Sequence, residues 1–117
     1  MMRASKAPQG ALLIQKMIDA RAETDRHIRI IERQISARAE RMTVTQKSKA
    51  RSFRHGTSRW TNAHEALLDE NIGQVRFERR QELDALIRKR RRQDRAIETL
   101  KRIAGTTAIN GTRPTNP

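Results

Sequence analysis

The chain contains no cysteine and no tyrosine. Lack of cysteine excludes disulfides, thiolate nucleophiles and cysteine-based zinc sites together. Aromatic residues make up 3% of the 117 residues and apolar residues 35%. One chain therefore has little with which to build a thick core, and help from a second chain is expected. Long hydrophobic runs are missing too. The longest early run, Ala11 to Ile14, is too short for the core of a signal peptide, and nothing approaches the ~20 apolar residues that cross a bilayer. The expectation is a soluble intracellular protein, cytoplasmic or nucleoid-associated, or nuclear in a eukaryote.

Motifs for catalysis are also lacking. His27, His55 and His64 do not have the i,i+3 or i,i+4 spacing of a metal-binding pair, and there is no glycine-rich phosphate loop. Glu78 and Glu82 sit among arginines, where salt pairing explains them more simply than acid and base chemistry. The sequence is thus read as a non-enzyme without metal, cofactor or small-molecule substrate.

What the chain has is positive charge. Lys and Arg number 26 against 13 Asp and Glu, a formal net charge of +13. Such an excess repels itself in a folded chain unless a polyanion neutralises it. Arginine dominates the cations, and its planar fork suits phosphate oxygens and guanine edges. Nucleic acid is the expected partner, DNA before RNA. An anionic membrane ranks last, because the helical faces lack the bulky aromatic side of interfacial helices.

Along the chain, residues 1–10 carry Pro8 and Gly10 and read as a flexible basic arm. Residues 11–42 contain neither Gly nor Pro, and Ile14, Met17, Ile28, Ile31, Ile35 and Met42 follow a heptad seam. Arg21 and Thr24 stand where that pattern asks for apolar residues. A long amphipathic helix is expected there. Residues 43–60, with Thr, Ser and Gly56, read as a basic linker with five cations and no carboxylate. Seven cations against five carboxylates over 11–42, and eleven against eight over 61–105, leave those segments better balanced.

Asn62 and Glu65 fit a capping box that opens a second helical region, 61–105, with a break or bend near Gly73. Leu68, Ile72, Val75, Leu83, Leu86, Ile97 and Leu100 form its apolar stripe, partly at eleven-residue spacing. Gly105 reads as the C-cap and 106–117 as a disordered tail. The fold expected is all-α: long amphipathic helices in a helical hairpin or coiled-coil-like bundle, dimeric, with the two stripes as the oligomer interface. If one helix ran through Gly73, the longer rod would favour the dimer further.

Two basic clusters are the candidate nucleic-acid contacts. The first is Lys47, Lys49, Arg51, Arg54 and Arg59, with Phe53 and Trp60 placed to stack on bases or wedge into a groove; in a merely solvated loop, Trp60 would instead pack on the next helix. The second is the stripe Arg88, Arg91, Arg92 and Arg95, which lie three or four residues apart and share one side of a helix. As a merely solvated face, that segment would instead pair Asp84 with Arg88 and Arg90 with Asp94. "RKRRR" is also the kind of cluster that an import receptor reads.

"WTNAHEALL" resembles the opening of a Myb/SANT repeat at Trp60, Thr61, Glu65, Leu67 and Leu68. The likeness spans those nine residues only. No later Trp follows at the repeat's spacing, and "VRFERRQELDALIRKRRRQ" does not read as a short turn and recognition helix, so no family assignment follows. The functional expectation is a small helical nucleic-acid-binding protein with phosphate contacts and an accessory, architectural or regulatory role. The alternative is a structural or adaptor component of a larger assembly such as a virion, ribosome or conjugation complex.

Overall fold

A helix persists where nothing removes its hydrogen bonds, and between Gly10 and Gly56 the chain has no glycine or proline. Helix α1 accordingly spans Lys6–Arg54, 49 residues. Pro8 falls in its first turn, where the backbone N–H that proline lacks has no intrahelical acceptor. Helix α2 is Asn62–Glu78 and helix α3 is Arg80–Thr112. The structure, a computed structural model, describes the backbone of residues 6–54 and 61–112 and the side chains of 10–50 and 61–105. Every element among the described residues is a helix.

Four boundaries differ from the expectation. Residues 6–10 of the expected arm are helical, and the helix runs on through 43–54, the first part of the expected linker. Thr43 does not break it, because its hydroxyl donates to Ala39 O at 2.8 Å and its side chain is fully buried. Gly73 lies inside α2. It is exposed, and a helix interior tolerates one glycine at a cost of about 1 kcal/mol when the residues beside it, Asn71 and Val75, are buried. The interruption comes at Arg79, with φ −106° and ψ 14°. Its guanidinium ties α1 to α3, donating to Gln34 Oε1 at 2.7 Å and to Glu82 Oε1 at 2.8 Å. Nor does Gly105 end α3, whose helical backbone continues to Thr112, into the expected tail.

The start of α2 is shifted by one residue from the expected box. Thr61 is the N-cap: its hydroxyl accepts from His64 N–H, and His64 Nδ1 accepts from Thr61 N–H at 3.0 Å. An imidazole thus takes the role expected of the Glu65 carboxylate. A ring nitrogen with a lone pair satisfies the orphan N–H as a carboxylate oxygen does.

The chain divides into two units, one joining residues up to Arg26 with those from Leu86, the other spanning His27–Ala85. In the latter, α1 packs antiparallel to α2, as the ion pair Glu32–Arg76 at 2.8 Å and the hydrogen bond from Asn71 to Thr43 at 2.9 Å require. Its core is Ile28, Ile31, Ile35, Ala39, Val75 and Leu83. Up to Ile35 the buried positions keep the heptad, and then Ala39 and Thr43 replace Arg38 and Met42. At 3.6 residues per turn a strict heptad drifts about 20° per repeat, and four-residue steps bring the buried side back.

In the other unit, α1 runs antiparallel to α3. Arg21 Nε donates to Asp94 at 2.8 Å, and Arg90 donates to Asp25 at 2.5 Å. Thr24 and Ile97 are its buried side chains among the described residues. The two positions that interrupt the heptad are thereby explained. Arg21 reaches across to a carboxylate, and Thr24 satisfies its hydroxyl on Ala20 O at 3.2 Å.

Candidate nucleic-acid interface

The basic stripe on α3 is presented by the packing of its opposite side. Ile97, buried, with Gln93 and Leu100, half-buried, set the inward direction in the unit that holds residues from Leu86. At 100° per residue Arg88, Arg91 and Arg95 then project from the outward side of α3, with Arg92 farther round its flank. All four are exposed. Among the described residues none has a carboxylate within ion-pair distance. Arg90 turns inward to Asp25 and Asp94 is taken by Arg21, so Arg90–Asp94 is not the pairing that forms, and Asp84 and Arg88 do not come within ion-pair distance either. The hydrogen bond from Arg21 holds the Asp94 carboxyl below its ordinary pKa, helped by the charges of Arg21 and Arg90 and opposed by partial desolvation and by Asp25.

Arg102 continues the same face seven residues beyond Arg95 and is also exposed. It lay inside the helical region expected over 61–105, at its C-terminal end, and was not counted with the stripe. From Arg88 to Arg102 the stripe is roughly 21 Å long at 1.5 Å per residue. That matches about six base steps at 3.4 Å.

The first cluster is not one surface. Lys47 and Lys49 are two helical residues apart, about 200° around α1. Lys47 is half-buried and Lys49 exposed. Lys49 instead shares an open groove of about 440 Å³ with Arg38, Arg41, Met42, Thr45 and Gln46. Arg38 is 59% exposed at its side chain and only 3.9 Å from Glu78, a weak tether. Arg38 and Arg41 lie inside the helix expected over 11–42, but they join Lys49 on one side only because α1 runs on past Met42. The side chains of Arg51, Phe53, Arg54, Arg59 and Trp60 lie outside the described residues. Phe77, 61% exposed, is the aromatic ring on the described surface, and the Arg80 guanidinium stacks on it at 3.8 Å.

No family model, curated protein or solved structure matches this chain.

The expected interface stripe separates into two groups. Ile28, Ile31, Ile35, Val75, Leu83 and Ile97 are buried within the single chain. Ile14, Met17, Met42, Leu68, Ile72, Leu86 and Leu100 are half-buried. Among the described residues no helix is long and apolar enough to cross a membrane, and no three His, Asp or Glu side chains group as metal ligands.

Proposed function

We propose that this chain is a non-enzymatic helical DNA-binding protein that holds duplex through phosphate contacts, in an accessory or architectural role. The observation that carries the reading is the exposed α3 face of Arg88, Arg91, Arg92 and Arg95, which has no carboxylate partner among the described residues. Unneutralised arginines held at fixed helical spacing suit phosphate oxygens. DNA is favoured over RNA because the ~12 Å major groove of B-form duplex admits an α-helix, whereas that of A-form RNA is too narrow. Arg38, Arg41 and Lys49 supply a second patch, with the Thr45 hydroxyl and Gln46 amide as neutral donors.

The working species in this reading is one chain. Ile28, Ile31, Ile35, Val75, Leu83 and Ile97 already have partners inside it, so a homodimer through them requires helices to be exchanged between chains.

Fluorescence anisotropy of a labelled random duplex across a salt series tests the proposal. Changing Arg88, Arg91, Arg92 and Arg95 to Ala should flatten the log–log salt slope by ~3 to 4, at about 0.9 per phosphate released. A parallel variant at Arg38, Arg41 and Lys49 should flatten it by less than 3. An unchanged slope in the α3 variant, or no binding by the wild type at low salt, would sink the proposal. Tighter binding to an RNA duplex would overturn the choice of DNA.

A further inference from the structure

Among the described residues, the unit that joins residues up to Arg26 with those from Leu86 leaves an apolar groove open. Leu13 and Met17 of α1 face Ala96, Thr99, Leu100 and Ile103 of α3 around a volume of about 600 Å³. Leu13 is 50% and Ile103 55% exposed, and Leu12 beside them 62%. Side chains of this kind, grouped in a groove between two antiparallel helices, mark a surface that another element covers. Along α3 they recur at 96, 99/100 and 103, about 10 Å of helix. Two turns of a partner helix, with anchors at i, i+3 or i+4 and i+7, span that distance.

Charge selects the occupant. Arg95 lines the groove, Arg92 stands one turn before it and Arg102 lies two turns after it on the same side of α3. None of the three has a carboxylate partner among the described residues. A second copy of the chain would bring the same cations to the same rim, within a molecule of net charge +13, and like charges brought together oppose docking. The apolar floor offers nothing to a phosphate backbone. We infer that this groove docks an amphipathic helix of another protein, one that carries leucine-like anchors on one side and carboxylates beside them.

The probe is a synthetic fluorescein-labelled peptide with leucines at those anchor positions and glutamates flanking them. Its controls are an isomer with the leucines scrambled and a version with lysine for every glutamate. With the full chain, anisotropy should show the glutamate peptide binding at least about tenfold tighter than either control. Leu13→Ser with Ile103→Ser, both at exposed positions, should weaken binding by about tenfold or more. Arg92→Glu with Arg95→Glu should reverse the preference toward the lysine peptide, and circular dichroism should show both variants as helical as the wild type. Equal binding of the scrambled peptide, or no binding at millimolar concentration, would overturn the inference. So would sedimentation showing a wild-type dimer that Leu13→Ser with Ile103→Ser converts to monomer, since the occupant would then be a second copy.

Discussion

The two units share helix α1 but close their helix pairs by different means. In residues 27–85, Ile31, Ile35, Ala39 and Val75 are at most 1% exposed. A polar pair sits among them with its donors satisfied: Asn71 donates to Thr43 Oγ1 at 2.9 Å and to Gln46 Oε1 at 3.0 Å, while Thr43 donates to Ala39 O. In the unit that holds Arg21 and Asp94, burial reaches only Thr24 and Ile97 among the described residues, and ion pairs join the helices. There the Gln93 side-chain oxygen is buried without a donor. Each fully buried aliphatic side chain contributes about 1.5–3 kcal/mol, whereas an exposed ion pair contributes about 0–1. One unit is thus held mainly by its own core, with ion pairs such as Glu32–Arg76 at its edge, while the other buries less and keeps the groove around Leu13 and Ile103 and the α3 arginines facing outward. The α3 arginine face and the apolar groove of the two proposals above both belong to the second.

The sharpest way to break that contrast is to remove one aliphatic side chain from each unit. Ile35→Ala, at a site with no exposure, should cost about 2–5 kcal/mol in urea unfolding. Leu13→Ala should change stability by no more than about 0.5 kcal/mol. Equal losses would mean that the groove residue is packed as tightly as the core.

A smaller effect is expected from the polar pair. Asn71→Ala removes both donated hydrogen bonds and leaves Gln46 Oε1 without that donor, for a loss of about 1–3 kcal/mol. The midpoint of urea unfolding measures it. A neutral or stabilising change would show that the pair sets which residues face each other without holding them together.

The smallest effect concerns acid. Because the folded-state pKa of Asp94 is depressed, its pairing with Arg21 stabilises the fold above the ordinary carboxylate pKa. That contribution is lost as pH falls through the lower, folded-state value. Asp94→Asn should therefore lower Tm slightly at neutral pH and reduce the drop in Tm below about pH 4. Superimposable Tm-versus-pH curves for the two proteins would show that the ion pair adds nothing measurable. Added salt should shrink the difference, since both side chains reach solvent.

Much of the helical content was legible. Ile28, Ile31 and Ile35 kept the spacing that marked them, as did Val75, Leu83 and Ile97 on the other stripe. Boundaries were harder to read because composition describes what a residue tolerates, not what its neighbours satisfy. Thr43 reads as a helix breaker until its hydroxyl is seen bonded to Ala39 O and Asn71 Nδ2. Gly73 reads as a break, but the interruption lies at Arg79, fastened to Gln34 and Glu82. Asn71 drew no notice because an isolated asparagine inside an apolar stripe has no signal of its own. Spacing alone placed the α3 arginines on one helical side. What spacing left open was which acids they meet, and that depended on Asp25 and Arg21, more than sixty residues away in the chain.

By itself the sequence determined that this protein is helical, that it carries a large excess of positive charge and which residues share a helical face. Those properties follow from composition and from the 3.6-residue period, which are local. Only the tertiary structure decided that Ala39, Thr43 and Asn71 enter the core in place of Arg38 and Met42. It also decided that Arg90 is paired while its neighbours Arg88, Arg91 and Arg92 remain exposed, and that Leu13 and Ile103 face an open groove. The reason is physical: burial and ion pairing are properties of two helices meeting, and the period of either one says where its own faces point, not what stands opposite them.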